Sequence, residues 1–188
     1  STNIRADSDV DIVMRLDSIN YYDISKLDVD EAARFKQNTG HTDYSHDLFK
    51  EEVLAWLTKQ YGTGVKAGSK AIFIPGNNSR RDADVLVCTR HKTYLSYPSS
   101  YGANILEGVC FWNSDKQQIV NYPKQHLTNC MSKNQNTSTR FKSNVRAFKN
   151  IRKAMVAGGY LDDGVAPSYF IEGMLWSIPN ENFVSTYQ

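Results

Sequence analysis

The sequence predicts an α+β fold in which a strand-rich front part is followed by a helical rear part. Apolar residues recur at every second position from Val10 to Leu16, which is the period of a strand with one buried face. A second alternating segment, "DADVLV", occupies residues 82–87. From residue 140 onward the pattern changes, because the apolar residues of "FKSNVRAFKNIRKAMVAGG" recur at helical spacing.

The segments between these patterns predict a helix, a strand and a hairpin. In "DYSHDLFKEEVLAWLTKQYG" the apolar spacing is helical, Asp43 or Ser45 can cap the start, and Gly62 is placed to end the helix. "KAIFIP" then predicts a strand, and a Gly-Asn-Asn-Ser turn leads from it into the strand that carries "DADVLV". The segments "GVCFWN" and "QQIVNY" predict a further hairpin, and polar "KNQNTSTR" is the best candidate for a domain boundary.

Composition and charge narrow the class of protein. The 188 residues are 40% hydrophobic and 22% charged, an ordinary globular balance, and the net charge of +2 is too small to argue for duplex nucleic acid. We see no apolar run of membrane-span length and no secretory signal. The odd number and wide spacing of Cys88, Cys110 and Cys130 favour a reducing compartment, so we expect a cytoplasmic protein without a membrane partner.

One of these cysteines fits a metal-binding spacing in part. His126 and Cys130 are four residues apart, a separation at which two side chains of one helix can bind a zinc ion. No second pair of ligands accompanies them, and we therefore interpret the three cysteines as structural thiols.

Carboxylates occur in pairs on two of the predicted strands. Asp9 and Asp11 share one face of the first strand, where they repel each other unless a cation lies between them, and Asp82 and Asp84 share one face of the second. Magnesium prefers such oxygen ligands, so three carboxylates from adjacent strands predict a two-metal site. Two ions about 4 Å apart can activate an attacking hydroxyl and stabilise a leaving oxygen in phosphoryl transfer. The alternative is that the acids are ordinary solvated or turn-flanking residues.

The helical rear part carries basic residues on one face. They are Lys142, Arg146, Lys149 and Lys153. Such a stripe is most often a solvated face, but with a metal site upstream the neutralisation of a triphosphate explains it better. Ser168 follows Pro167 at a predicted helix start, where free backbone amides favour phosphate oxygens.

Two groups of segments resemble a known family. "STNIRADSDVDIV" followed by "DADVLV" resembles the nucleotidyltransferase core of the DNA polymerase β superfamily. "IVNYPKQHLTNCMSKNQNTSTRFKSNVRAFKNIR" and "PSYFIEGMLWSIPNENF" resemble the cGAS/DncV-like (CD-NTase, oligoadenylate synthetase-like) nucleotidyltransferases of bacterial anti-phage (CBASS) signalling. The resemblance implies a polymerase β-like core, a mixed β-sheet with helices, at 1–135, and a helical subdomain at 136–188.

The resemblance also implies roles for individual residues. Asp9, Asp11 and Asp84 become the catalytic carboxylates that bind two Mg²⁺ ions, or Mn²⁺ in their place. Lys149 and Ser168 contact the donor triphosphate. Tyr169, which taken alone would be a core aromatic, stacks on the donor base.

The implied activity is that of a metal-dependent nucleotidyltransferase. It makes a cyclic di- or trinucleotide second messenger from nucleoside triphosphates and releases pyrophosphate, with regulatory or effector proteins of a defence operon as partners. One alternative is a transferase that adds a single nucleotide to a drug, protein or RNA acceptor. Another is a non-catalytic nucleotide-binding sensor, against which the three carboxylates argue, because binding alone does not require them.

The sequence departs from the family pattern at its start. The Gly-Ser motif and the first helix of the family are expected before Thr2 and are not in this chain. Gly68 and Ser69 enter a predicted strand rather than a helix and do not replace the motif. We therefore expect a piece of a longer protein that is also truncated at its C-terminus.

Overall fold

The computed structural model describes residues 10–100 and 102–184, and Asp9 lies outside them. The chain divides into two compact units, Ser1–Pro123 and Lys124–Gln188. The first unit contains a mixed β-sheet with helices and the second is helical, so the predicted α+β fold is confirmed. No helix within the described residues is both long and apolar enough to cross a bilayer.

The first unit is built around one six-stranded sheet. Its strands are β1 (Val10–Asp23), β2 (Lys66–Ala67), β3 (Ile72–Ile74), β4 (Ala83–Ser96), β5 (Asn104–Trp112) and β6 (Gln118–Asn121). The order is β2-β3-β4-β5-β6 with antiparallel neighbours, and β1 pairs with β4 in parallel. The two strands predicted to carry the acids are therefore neighbours, and the predicted hairpin is formed by β5 and β6.

Two helices accompany this sheet, α1 (Val29–Asn38) and α2 (His46–Tyr61). The prediction of α2 is confirmed, with the Ser45 side chain accepting a hydrogen bond from the Leu48 amide at the start. The helix ends at Gly62, whose positive φ of 90° favours glycine. The sequence analysis missed α1, a helix of 10 residues that buries only Phe35.

The packing of α2 on the sheet decides which face of β4 carries the acid. Val53 and Leu57 of α2 form one buried cluster with Val85 and Val87 of β4. Side chains alternate along a strand, so residues at the positions between these valines point to the opposite face. Asp84 therefore lies on the face of β4 that is turned away from the core under α2.

The second unit consists of three helices and a short 3-10 turn among its described residues. The elements are α3 (Pro123–Asn136), α4 (Arg140–Ala157), α5 (Ser168–Ser177) and the turn Asn180–Asn182. Its core joins α4 to α5 through Phe141, Val145, Ile171, Leu175 and Phe183. The prediction of α4 and α5 is confirmed. The sequence analysis missed α3, in which no residue is buried. The segment "KNQNTSTR" forms the end of α3, the turn that follows and the first residue of α4.

Candidate functional site

Asp11 and Asp84 occupy matching positions on neighbouring strands. In the parallel pairing of β1 with β4, Asp11 is the register partner of Asp84, and the pairing begins at Val10 and Ala83. The Val10 amide donates to the Asp82 carbonyl at 3.0 Å, just before the ladder. Neighbouring strands are about 4.8 Å apart, so two register partners present their side chains next to each other. The arrangement brings two carboxylates to one place on the sheet, with Asp11 exposed and Asp84 half-buried.

Asp82, which the sequence places on the same face as Asp84, has a different environment. Its Oδ1 accepts a hydrogen bond from the Gly76 amide, across the turn between β3 and β4. Gly76 has no room for a side chain, since an added Cβ would lie 2.8 Å from the Asp82 amide nitrogen. The Asp82 carboxylate therefore closes this turn.

Farther along β1, a cluster of charges lies on the same strand face as Asp11. The Arg15 guanidinium is 2.7 Å from the Asp17 carboxylate and 3.0 Å from that of Glu107, and Arg90 is 3.3 Å from Asp17. Partial desolvation opposes the ionisation of Asp17, but the bonds and charge of Arg15 hold the pKa of that carboxyl below its usual value. Because two carboxylates neutralise two guanidinium groups, this cluster ties β1, β4 and β5 together and leaves no free positive charge.

In the second unit, the predicted phosphate contact Lys149 is ion-paired. Its ammonium donates to Oε1 of Glu172 on α5, and both side chains are 20% exposed. The other oxygen of the same carboxylate, Oε2, is 2.8 Å from Nε2 of His126 on α3. Burial alone would raise the pKa of Glu172, but Lys149 and His126 outweigh that effect and hold it below its usual value.

Tyr169 and Ser168 lie at the start of α5. The Tyr169 ring is stacked on the His126 ring, with 4.7 Å between centroids and 32° between planes, and 66% of the tyrosine is exposed. Ser168 is the first residue of α5, and no side chain caps this helix end. The amides of the first turn are therefore available to an anion. The structure thus places Lys149 and Tyr169 at the two ends of one set of contacts.

The structure ranks the basic residues of α4, which helix geometry alone left equivalent. Lys149 is half-buried and paired, whereas Lys142, Arg146 and Lys153 are exposed. The sequence analysis gave no role to Glu172 or His126. The one signal for Glu172 was its position four residues after Ser168, on the same helix as Ser168 and Tyr169.

The structure adds a third candidate ligand to the zinc spacing of His126 and Cys130. The ligand atoms of these two residues and of Glu172 lie within 4.8 Å of one another. Burial and the nearby Glu172 raise the pKa of the Cys130 thiol. Lys149 already supplies a cation to the same carboxylate. These contacts are explained as an ion-pair network without a metal.

The three cysteines are free thiols. Burial raises the pKa of Cys88 to about 11 and also raises that of Cys110, which keeps both side chains protonated at neutral pH. A protonated, buried thiol is a poor nucleophile, so neither residue is a candidate for chemistry.

Comparison with known proteins agrees with this fold. A family profile described as "cGAS/DncV-like nucleotidyltransferase C-terminal helical domain" matches residues 128–188. The chain is 35% identical to the cyclic UMP-AMP synthase of Rhodothermus marinus, and the match covers all of this chain and 63% of the relative. It is also 34% identical to the cyclic nucleotide synthase CdnE01 of Staphylococcus haemolyticus, and that match covers 97% of this chain and 61% of the relative.

Solved structures extend the similarity to three dimensions. The Rhodothermus marinus CdnE c-UMP-AMP synthase with Apcpp and Upnpp superposes with a TM-score of 0.80 at 35% identity, covering 99% of this chain and 61% of that one. The Elizabethkingia meningoseptica CdnE cyclic dinucleotide synthase with GTP and Apcpp superposes with a TM-score of 0.74 at 30% identity. This match covers 98% of this chain and 59% of that one.

The mixed sheet with its paired acids, followed by a helical unit, defines a nucleotidyltransferase fold. Within that class, the chain is similar to the cGAS/DncV-like nucleotidyltransferases, and the relatives it matches are CdnE cyclic nucleotide synthases. The family resemblance seen in the sequence is confirmed. The chain spans about three fifths of the length of these curated relatives.

Proposed function

We propose that this chain is part of a metal-dependent nucleotidyltransferase that joins nucleoside triphosphates into a cyclic di- or trinucleotide. The observation that carries the proposal is the side-by-side pairing of Asp11 and Asp84 on the sheet. The relatives support it, since they are named as cyclic nucleotide synthases and two related structures contain nucleoside triphosphates or their analogues. The first unit is the catalytic core in this proposal, and the second is the helical subdomain.

Asp11 and Asp84, together with Asp9, would hold two Mg²⁺ or Mn²⁺ ions. The donor set fits, because carboxylate oxygens on adjacent strands are the ligands these ions prefer. Bound metal supplies positive charge to the attacking and leaving oxygens of the phosphoryl transfer. The carboxylates supply orientation, and Asp84 also helps to remove the proton of the acceptor ribose hydroxyl. That oxygen bonds to the α-phosphorus, the bond to the β-phosphate breaks, and pyrophosphate leaves.

Lys149, Ser168 and Tyr169 would hold the donor nucleotide. The Lys149 ammonium is fixed by Glu172, and the open first turn of α5 at Ser168 offers amides to phosphate oxygens. Tyr169 has an exposed ring face on which a base can stack. We further propose that the product acts in bacterial anti-phage signalling, with effector proteins of a defence operon as partners. The family resemblance supports this context.

The decisive experiment is an assay of product type. The complete protein is incubated with Mg²⁺ and each labelled nucleoside triphosphate, alone and in pairs, and the products are treated with phosphatase. We expect a labelled product that resists phosphatase, because a ring has no terminal phosphate. A labelled macromolecule or drug would instead indicate single nucleotide addition. No product under any condition, with nucleotide still bound, would indicate a sensor.

A further inference from the structure

Four side chains of the second unit form one continuous line of contacts, which we call the donor network. Its members, in order of contact, are Tyr169, His126, Glu172 and Lys149. Tyr169 stacks on His126, His126 is 2.8 Å from Glu172, and Glu172 accepts a bond from Lys149. The outer two are the residues proposed to meet the donor base and the donor phosphates. The inner two have no role in the reaction as described so far.

Glu172 joins the two halves of this network. Each oxygen of its carboxylate has its own partner, Lys149 at Oε1 and His126 at Oε2, so the carboxylate cannot rotate without breaking both contacts. Glu172 and its two partners come from three different helices, α5, α4 and α3. Charge-assisted hydrogen bonds are stronger than neutral ones, and a carboxylate 20% exposed is partly protected from competing water. The position of the Lys149 ammonium is therefore coupled to that of the His126 ring.

We propose that Glu172 and His126 are positioning residues that couple recognition of the donor base to recognition of the donor phosphates. The inference rests on the proposed function. A lysine side chain is long and flexible, and fixing it before the ligand arrives removes part of the ordering cost of binding. A base stacked on Tyr169 orders His126, His126 orders Glu172, and Glu172 holds Lys149 where the phosphates come to lie.

The test is a double-mutant cycle on ligand binding with the complete protein. The probes are Apcpp, the triphosphate analogue named in both related structures, and adenosine, which lacks the phosphates. Affinities are measured for the wild type, Lys149→Ala, Glu172→Ala and the double variant. Residues in contact show interaction energies that correspond to about a fewfold to a hundredfold in affinity. We expect Lys149→Ala to weaken Apcpp binding at least about fivefold less in the Glu172→Ala background than in the wild type.

Loss of the Glu172 side chain should also weaken recognition of the base, whereas loss of the Lys149 side chain should not. We expect Glu172→Ala to weaken adenosine binding through His126 and Tyr169, while Lys149→Ala leaves adenosine binding unchanged within about twofold. Glu172→Gln should recover most of the loss for both probes, because the amide keeps the shape and one oxygen acceptor. Lys153→Ala, at an exposed lysine on the same helix as Lys149 and outside the network, is the matched control and should match the wild type.

The outcomes separate this inference from the function on which it rests. Additive effects of Lys149→Ala and Glu172→Ala on Apcpp, in variants that melt like the wild type, would overturn the coupling and leave the donor site in place. If Glu172→Ala does not fold, Glu172→Met, which keeps the length of the side chain but has no carboxylate oxygen, replaces it in the same cycle. A wild-type protein that binds neither Apcpp nor any other nucleoside triphosphate would overturn the proposed function, and the inference with it. Zinc that copurifies and is lost in Cys130→Ser would show a metal site instead of the network.

Discussion

Asp11 and Asp84 are register partners on two parallel strands, although they lie far apart in the sequence. The sequence identified both acids but could not show that they meet, because the pairing of strands is set by the whole sheet. This relationship gives the metal-site proposal its geometric support and leads to the first prediction.

Asp11→Asn and Asp84→Asn should each reduce turnover with Mg²⁺ by about a hundredfold or more while the protein stays folded. The substitution removes a negative charge from the proposed metal site and keeps the shape of the side chain. The measurement is nucleotidyl transfer by the complete protein, with a melting curve for each variant. We expect the same result for Asp9→Asn.

Asp82→Asn is the control for this prediction. Asp82 accepts a hydrogen bond from Gly76 in a turn, and the asparagine oxygen can still accept it, so activity should remain near that of the wild type. An inactive Asp82→Asn together with an active Asp84→Asn would move the third ligand two residues along the chain.

Lys149→Ala should weaken the binding of a nucleoside triphosphate much more than the binding of the matching nucleoside, because it removes the positive charge proposed to contact the phosphates. The defect should shrink in high salt, because screening already weakens the wild-type contact. Lys153→Ala is the control from the same helix; Lys153 is exposed, and its loss should change neither ligand. Equal losses of triphosphate binding in the two variants would show that the basic residues of α4 form only a solvated face.

Tyr169→Ala should weaken the binding of the nucleoside and of the nucleoside triphosphate by the same factor. A base–aromatic stack contributes about 1–3 kcal/mol, and both ligands carry the base. The measurement is a titration of both ligands at one salt concentration. A defect confined to the triphosphate would mean that Tyr169 contacts phosphate rather than base.

The ion pair of Glu172 predicts how stability depends on pH. Its pKa is lower in the folded protein than in the unfolded chain, so its stabilisation is present above the unfolded value of about 4.3 and is lost as the pH falls through the folded value. Glu172→Gln should therefore melt below the wild type at pH 7, and the difference should shrink toward pH 3. Glu181→Gln, at an exposed acid of the same unit, should melt like the wild type throughout. A difference that persists at pH 3 would assign the loss to packing.

Phe141 and Phe148 allow a matched test of the core of the second unit. Both lie on α4, but Phe141 is 1% exposed and Phe148 is 42% exposed. Phe141→Ala should lower the free energy of unfolding by about 3–5 kcal/mol, the usual cost of deleting a buried phenyl ring. Phe148→Ala should cost well under half as much. Comparable losses in urea titrations would show that Phe148 is buried in the protein in solution.

The elements that could be predicted from the sequence are those whose apolar residues face a core. The helix α2 and the strands β1 and β4 follow the period of their buried residues, as do α4 and α5. The helices α1 and α3 were missed because they contribute little to a core. Among the described residues, α1 buries only Phe35 and α3 buries none. Capping could have revealed α1, since Asp28 accepts from the Glu31 amide at its start.

The candidate site could be predicted only in part for a similar reason. Residue type indicated paired carboxylates and a basic helix face, which suggest metal and phosphate, and the family resemblance selected Asp84 and Lys149 among them. Contacts between helices leave no such pattern in a single sequence. The pairing of Glu172 with both Lys149 and His126 depends on how three helices pack, and it became visible only in three dimensions.

The parallel pairing of β1 with β4 also has a consequence for the order of folding. Closing a long loop carries an entropy cost before its contacts form, and folding slows as contacts join more distant parts of a chain. The α4–α5 core joins segments that are close in sequence, whereas Asp11 and Asp84 meet only after the chain between them has closed a long loop. In refolding experiments the helical unit should gain protection from hydrogen exchange first. The acid pair is then among the last native features to form, and nucleotidyl transfer should return later than helical structure.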